Sequence, residues 1–168
     1  YDVGRSSGDS SVFPDIRCAA SSDDLSPQLM LGGSSGIGQF DLERLQLRDH
    51  MRLVSQSAVN AMCCSQSVTY VGCEDGSIAS YDMRIALHSQ QHAVNRASAH
   101  VGGVCTIDQK GQLLVTAGFS QGHHGQLRFD QQVCVFDVRT FRPLPAVPFP
   151  YGASKLQFLP RYQSSVLV

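Results

Sequence analysis

A short motif of an aromatic residue, an aspartate and an aliphatic residue recurs four times along the chain. Its copies are Tyr1-Asp2-Val3, Phe40-Asp41-Leu42, Tyr81-Asp82-Met83 and Phe136-Asp137-Val138. The aspartates follow one another at intervals of 39, 41 and 55 residues. The first two intervals match the roughly 40–45-residue period of repeats that each fold into one small four-stranded sheet. The motif therefore predicts an all-β chain built from similar units.

A second pattern precedes the motif in the two central repeats. Leu31-Gly32-Gly33-Ser34-Ser35-Gly36 corresponds to Val71-Gly72-Cys73-Glu74-Asp75-Gly76. Asp75-Gly76 is a strong signal for a turn between two strands, because glycine adopts the positive φ that such a turn requires. The flanking strands are apolar on both faces, as expected of sheets that pack between neighbours. The repeat predicts antiparallel four-stranded blades, with Asp41, Asp82 and Asp137 at equivalent ends of third strands.

These features favour a WD40-like β-propeller over the alternative, a β-sandwich with evenly spaced hairpins. The chain has 168 residues and supplies about four repeats, whereas seven blades of about 41 residues need close to 290. We therefore expect residues 1–168 to be a partial propeller, a fragment of a seven-bladed one. The repeats are expected to end near Asp2, Asp41, Asp82 and Asp137, and a further repeat is expected to start within 150–168.

The repeats differ from typical WD40 blades in their side chains. The chain contains no tryptophan, so every aromatic motif position is Phe or Tyr. The strand position before the glycine, where Ser or Thr is usual, holds Leu31, Val71 or Ala117. This predicts that the hydrogen-bond network of typical blades does not form in full. Ala99-His100 nevertheless resembles the histidine that precedes the first strand of such a repeat.

The third repeat is longer than the others because of a polar insertion at 121–131. Its polar side chains, with Gly122 and Gly125, are expected to keep it on the surface, and a longer loop costs little extra closure entropy. Loops on a rigid scaffold are where binding is usually placed. We therefore predict a docking role for four residues of the insertion, with a passive loop as the alternative. They are His123, His124, Gln126 and Arg128.

No constellation of residues in the sequence indicates catalysis, a cofactor or a metal in this segment. Residues 34–38 (SSGIG) lack the lysine and the glycine spacing of a phosphate loop, and a turn is the better interpretation. Asp23-Asp24 and His123-His124 lack the further ligands that a metal needs. None of the six cysteines forms a C-x-x-C pair, so we expect buried free thiols and a reducing cytosolic setting.

The charge of the chain limits its partners. With 13 basic and 14 acidic residues, it has no general attraction for nucleic acid or for an anionic membrane, and neither DNA nor a membrane is expected as a partner. Three basic and three aromatic residues near the C-terminus are of the types that bind and stack RNA bases, but core packing explains the aromatic ones more economically. They are Arg139, Arg142, Lys155, Phe141, Phe149 and Tyr151.

The last third of the chain carries a longer ordered pattern. Gly118-Phe119-Ser120 and the polar insertion precede Val133–Thr140, and Arg142-Pro143-Leu144-Pro145, Phe149-Pro150, Ala153, Leu156-Gln157-Phe158 and Pro160 follow. This succession resembles the N-terminal WD40 propeller of the catalytic subunit of the poly(A) nuclease deadenylation complex. The likeness is closer from His100 to Val168 than from Tyr1 to Arg96.

The resemblance implies a parent protein that is a poly(A)-specific ribonuclease, a metal-dependent 3'–5' exonuclease of messenger RNA decay. Its implied setting is the cytoplasm, including mRNA processing bodies. Its implied partners are a pseudokinase-like regulatory subunit and the poly(A) ribonucleoprotein, which is poly(A)-binding protein on mRNA. The divalent metal, Mg²⁺, and the catalytic residues are expected in a C-terminal exonuclease domain, so none is carried over to this chain. The implied role of this segment is non-catalytic docking. The alternative is a WD40 adaptor of an unrelated assembly, such as a ubiquitin-ligase substrate receptor.

Overall fold

The structure, a computed structural model, describes residues 15–21, 28–53, 56–87, 93–122, 125–162 and 165–168. These residues form fifteen strands and no α-helix, so none of their segments is a helix long and apolar enough to cross a membrane. The strands are β1 (Ile16–Ser21), β2 (Gln28–Gly33), β3 (Gly36–Asp41), β4 (Gln46–Met51), β5 (Val59–Ser65), β6 (Val68–Cys73), β7 (Ser77–Asp82), β8 (Asn95–Ser98), β9 (Val104–Lys110), β10 (Leu113–Gln121), β11 (Leu127–Phe129), β12 (Gln132–Asp137), β13 (Arg142–Pro148), β14 (Gln157–Phe158) and β15 (Val166–Leu167).

Twelve of the strands form three antiparallel blades in chain order. The first blade is β1-β2-β3-β4, the second is β5-β6-β7-β8, and the third is β9-β10-β12-β13. Asp41, Asp82 and Asp137 are the last residues of β3, β7 and β12, which are the third strands of their blades, as the repeat predicts. The predicted all-β, WD40-like architecture is therefore confirmed. The first motif copy, Tyr1-Asp2-Val3, lies outside the described residues, and the predicted domain extent of 1–168 stays a prediction.

The second and third blades bury apolar side chains on both faces, because successive residues of a strand point to opposite sides of the sheet. In β6, Val71 packs in the cluster shared with the first blade, whereas Tyr70 packs in the cluster shared with the third. The aromatic residue of the motif faces the preceding blade: Tyr81 packs toward the first blade and Phe136, 2% exposed, toward the second. The motif aromatic therefore joins one blade to the one before it.

The motif aspartate closes the turn between the third and fourth strands. Asp82 Oδ1 accepts the Arg84 backbone N–H at 3.0 Å, and Asp137 Oδ1 accepts that of Arg139 at 2.8 Å. The arginine side chains hydrogen-bond to the same carboxylates, which lowers the pKa of Asp82 and of Asp137. The recurrence of aspartate thus follows from the repeated turn.

The glycine turn predicted by Asp75-Gly76 joins β6 to β7. Gly76 has a φ of +78°, in the left-handed region that glycine adopts without a steric penalty. A Cβ atom at this position would also lie 2.1 Å from the carbonyl oxygen of His100. Asp75 Oδ1 accepts hydrogen bonds from the Ser77 hydroxyl at 2.6 Å and the Ser77 N–H at 3.0 Å. The positive φ and the lack of room for a Cβ atom therefore both require glycine at position 76, and the Asp75 carboxylate caps the turn.

A two-stranded sheet, β14 and β15, follows the third blade and packs beside it. Its first strand is tied to β9, where the Asp108 carboxylate accepts the Phe158 N–H at 2.6 Å. Lys110 Nζ donates to the backbone carbonyls of Leu159, Pro160 and Tyr162. These contacts hold the segment after the third blade against the blade's first strand.

Candidate docking surface at the insertion of the third blade

The insertion at 121–131 lies between β10 and β12, the second and third strands of the third blade. It is a β-hairpin, not an irregular loop: β10 extends to Gln121, and β11 pairs with this extension so that Ser120 lies opposite Arg128. The tip is closed by a hydrogen bond from the Gly122 N–H to the Gln126 carbonyl at 2.8 Å. The described residues of the insertion are therefore held by regular strand pairing with β10.

Two of the four predicted docking residues can be located on this hairpin. Gln126, at the tip, and Arg128, in β11, are both exposed. His123 and His124 lie outside the described residues. The docking role of all four residues stays a prediction.

The hairpin also has an apolar side that the sequence interpretation missed. Phe119 and Phe129 lie opposite each other and stack, with ring centroids 5.0 Å apart. Leu127, 64% exposed, and Phe129, 42% exposed, share one side of the hairpin, because alternate strand residues point the same way. The apolar–charged–apolar order of residues 127–129 was the available signal, but the overall polarity of the insertion masked it.

Two neighbouring loops contact the hairpin. A Cβ atom on Gly152 would lie 2.3 Å from Phe129 Cβ, so the 149–152 loop is in direct contact with the hairpin. In that loop Tyr151 is 90% exposed and meets Phe149 edge to face at 6.4 Å. The 101–102 loop contacts the other strand of the hairpin, β10, where the Gly102 N–H donates to the Phe119 carbonyl at 2.7 Å; the neighbouring Val101 is exposed. We call the resulting surface the apolar patch; its members are Phe119, Leu127, Phe129, Phe149 and Tyr151.

A buried histidine anchors the base of the hairpin. The His100 side chain is fully buried; its Nδ1 lies 2.9 Å from Asp130 Oδ2, and its Nε2 lies 3.1 Å from Thr116 Oγ1. The Asp130 N–H also donates to the Gly118 carbonyl at 2.9 Å. The prediction was that this side-chain network does not form in full; in the third blade Thr116, His100 and Asp130 form a part of it. The hydroxyl of this network is that of Thr116. The repeat pattern places it one position later, at Ala117.

Replacing Asp130 with alanine is expected to destabilise the chain by about 1–3 kcal/mol, because the buried Nδ1 of His100 loses its hydrogen-bond partner. The loss should be visible as a lower urea midpoint and as faster hydrogen exchange of β11. Asp130→Asn is the matched control, since its amide oxygen can still accept from the imidazole. Equal stability of Asp130→Ala and the wild-type chain would show that the anchor contributes nothing.

The described residues hold no group of three or more His, Cys, Asp or Glu side chains that could bind a metal ion. All six cysteines are free thiols, although only Cys73 is buried and the others are half-buried. Burial raises the pKa of Cys18 to about 12 and that of Cys73 to about 11, so both thiols stay protonated at neutral pH. Ser34 and Ser35 form the turn between β2 and β3, as predicted.

Three successive antiparallel blades with repeated aspartate turns define the class: the chain has the fold of a WD40 β-propeller. It can be superposed on the structure of the Neurospora crassa Pan2 WD40 domain with a TM-score of 0.75 over 93% of this chain and 47% of that one, at 17% identity. A likeness at this identity shows the fold alone.

Curated relatives give the particular protein that the chain resembles. It is 39% identical over 70 residues, or 42% of its length, to the PAN2-PAN3 deadenylation complex catalytic subunit pan2 of Emericella nidulans. It is 25% identical over 154 residues, or 92% of its length, to the subunit of the same name from Aspergillus oryzae. The chain spans only 6% and 13% of these two relatives. No protein-family model matches the chain. The resemblance to the WD40 propeller of this catalytic subunit is thus confirmed.

Proposed function

We propose that this chain is a docking segment of the propeller of a cytoplasmic deadenylase and that it takes no part in the chemistry of poly(A) trimming. In this proposal the parent protein is a metal-dependent 3'–5' exoribonuclease of messenger RNA decay. Its Mg²⁺ and catalytic carboxylates belong to a separate exonuclease domain. The partners are the pseudokinase-like subunit and poly(A)-binding protein on its RNA.

One observation carries the proposal: the likeness to curated deadenylase subunits extends over 92% of the chain and follows the same fold. The names of these relatives state that they act in a complex, which supports a role in assembly for the non-catalytic part. The alternative of an unrelated WD40 adaptor has only the shared fold in its favour. Fold alone is weak evidence for a particular function.

The insertion hairpin is the docking element in this proposal. It stands on the surface of a rigid blade, it exposes Gln126 and Arg128, and its base is fixed by His100. A fixed base lowers the conformational entropy lost when a partner binds. These properties support a binding role over a passive insertion.

Shortening the hairpin tip is expected to weaken assembly without unfolding the blade. Residues 122–126 of the full-length protein would be replaced by Asn-Gly, a sequence that closes two-residue hairpins. The change removes His123, His124 and Gln126 but leaves Asp130 in place; removing all of 121–131 would also destroy the His100 anchor. We expect an unchanged melting temperature, with co-purification of the pseudokinase-like subunit or trimming of coated poly(A) reduced several-fold.

Arg128→Ala extends the same experiment to the strand of the hairpin. The matched control is Arg84→Ala, which removes an exposed arginine from a turn in the second blade. Wild-type assembly and wild-type trimming rates in both hairpin variants would identify the insertion as passive.

A further inference from the structure

A polar pocket lies where the first blade meets the second, at the end of the sheets opposite the motif aspartates. Its volume is about 530 Å³, within the range of roughly 300–1,000 Å³ that is usual for ligand sites. The turn between β2 and β3 and the segment that links β4 to β5 form its walls. Its lining includes Ser34, Gly36, Arg52, Leu53, Gln56 and Ser57. The proposed function assigns no ligand to this pocket.

Backbone contacts fix the walls of the pocket. A Cβ atom on Gly36 would lie 2.1 Å from the carbonyl oxygen of Met51, so the turn is in direct contact with the end of β4. Leu53, 5% exposed, anchors the linking segment in the core that the first two blades share. Further along, Ser57 Oγ accepts the Asp75 N–H at 3.0 Å, which ties this segment to the second blade. The pocket is therefore formed before any ligand binds.

Arg52 is the one charged residue among the described residues that line the pocket. Its side chain is exposed, and no described residue forms a hydrogen bond or an ion pair with it. The hydroxyl of Ser34 is likewise exposed and has no hydrogen-bond partner in the described part of the chain. A guanidinium donates two parallel hydrogen bonds to an oxyanion. The pocket therefore offers one cation and a neutral donor to a ligand with negative charge.

The carboxylates close to the walls are paired with other arginines. The Asp15 carbonyl accepts a hydrogen bond from the turn, and the Asp15 carboxylate lies 2.8 Å from Arg17 Nε. Asp75 lies behind the linking segment, and its carboxylate is 3.1 Å from the Arg96 guanidinium. Neither carboxylate bonds to the arginine of the pocket.

The corresponding turn of the second blade shows how the fold elsewhere supplies an anion. Where the first blade has Ser34-Ser35, the second has Glu74-Asp75. The two carboxylates of the second turn pair with Arg17 and Arg96, both at 3.1 Å. The turn of the first blade contributes hydroxyls instead, although Arg52 lies beside it. An anion for Arg52 therefore has to come from outside the described chain.

A phosphorylated side chain fits these donors better than RNA does. A phosphorylated serine or threonine carries a charge of about −1.5 to −2 at pH 7 and has three strong acceptor oxygens. RNA is bound by several basic residues along a groove, with aromatic rings that stack the bases. The described lining of this pocket has a single basic residue and no aromatic one. Its volume also leaves room for peptide beside the phosphate.

We propose that the pocket between the first two blades binds a phosphoserine or phosphothreonine of a partner protein. The phosphate accepts hydrogen bonds from the Arg52 guanidinium and the Ser34 hydroxyl, and the exposed amide of Gln56 contacts the peptide backbone beside it. The turn is not a phosphate loop, because β3 and not a helix follows it, so the donors are side chains. The inference rests on the proposed docking function, since the phosphate is assigned to a partner. Its test measures peptide binding and not assembly, so the two can fail separately.

The test is a selection on the full-length protein from a degenerate peptide library with a fixed central phosphoserine or phosphothreonine. EDTA in the buffer withholds the metal with which an exonuclease domain would hold phosphate. Counter-selection against the Arg52→Gln variant removes peptides that bind elsewhere. A labelled synthetic peptide of the enriched sequence should bind the wild-type protein about tenfold more tightly than the same peptide with unmodified serine or threonine, because hydrogen bonds to charged groups are strong.

Single variants assign the binding to the pocket. Arg52→Gln should lose the preference for the phosphorylated peptide, and Ser34→Ala should weaken its binding about threefold, as the loss of one neutral donor does. Arg48→Gln is the matched control, because Arg48 is also an exposed arginine of the first blade, in β4, and lies outside the pocket. It should bind the peptide as the wild type does. All three side chains are exposed, so we expect unchanged melting temperatures.

The proposal is overturned if no phosphorylated sequence is enriched, or if Arg52→Gln binds the peptide as tightly as Arg48→Gln does. Equal binding of the peptide with glutamate at the central position would show that the pocket recognises a carboxylate and not a phosphate. Displacement of the labelled peptide by an adenosine oligonucleotide at lower concentration than by unlabelled peptide would identify the pocket as an RNA site instead.

Discussion

The Gly72→Ala variant is expected to be less stable than the wild-type chain by about 3 kcal/mol, the upper end of the usual cost of overpacking. Gly72 lies in β6, and a Cβ atom there would sit 2.4 Å from Val104 Cγ1 in the first strand of the next blade. Val104 is fully buried and β-branched, so it cannot rotate away without disturbing its own packing. The midpoint of urea unfolding, followed by circular dichroism, measures the loss.

A double-mutant cycle distinguishes the effect of this close contact from a general sensitivity of β6 to substitution. Val104→Ala removes the Cγ1 atom that lies 2.4 Å from the added Cβ atom at position 72, although the Cβ atom of residue 104 remains 2.7 Å away. The double variant should therefore recover part of the loss and be more stable than the sum of the two single changes predicts. Gly111→Asn is the control, because nothing lies within 4 Å of its added Cβ and asparagine tolerates its φ of +60°. Additive losses in the cycle would mean that the blades do not approach each other closely at Gly72.

The second large effect that we expect is self-association through the outer face of the third blade, which is the face that points away from the second blade. A cavity of about 450 Å³ lies on this face, lined entirely by apolar residues from β10, β12, β13 and the segment that follows. Leu144 and Val147 are 41% and 53% exposed there. An apolar sheet face normally packs on a neighbour, and the described residues cover this one only with β14 and β15. The isolated chain should therefore self-associate and bind a hydrophobic dye strongly.

Replacing Leu144 and Val147 with lysine is expected to lower dye fluorescence several-fold and to shift the chain toward monomer in sedimentation experiments. Lysine at Leu45 and Val94, which are exposed elsewhere, is the matched control and should change neither property. A wild-type chain that is monodisperse, binds no dye and melts cooperatively would show that the outer face is already covered.

The repeat in the sequence predicts most of the fold because its spacing reports a structural unit. The motif aspartates cap equivalent turns, and the motif aromatics join successive blades, so both residue types recur with the period of the blades. The glycines before the turns also recur in the sequence, but the contacts that require glycine lie between blades and are visible only in the structure. Gly72 is fixed by Val104, 32 positions further along the chain (104 minus 72). Contacts between blades cannot be read from local spacing.

The candidate surface was less predictable. The polar composition of the insertion located it correctly on the surface but concealed Leu127 and Phe129, whose importance depends on a strand pairing with β10. Tyr151 lies at the patch because its neighbour Gly152 contacts Phe129, and no sequence pattern predicts that contact. The sequence indicated His100 but not its partners, because the hydroxyl of Thr116 is one residue away from the position expected for it and Asp130 lies at the end of the insertion.

We propose that this propeller segment docks partners of a deadenylase and that the chemistry of poly(A) trimming lies in another domain of the parent protein. The most direct measurement is the trimming rate of naked poly(A) and of poly(A) coated with poly(A)-binding protein, in the presence of Mg²⁺. It would be made with the full-length protein, with the same protein lacking its propeller, and with the 168-residue chain alone. We expect no trimming by the chain alone, and a propeller-deleted protein that trims naked poly(A) normally but coated poly(A) several-fold more slowly. Metal-dependent trimming by the pure chain, or equal rates on coated poly(A) with and without the propeller, would contradict the account.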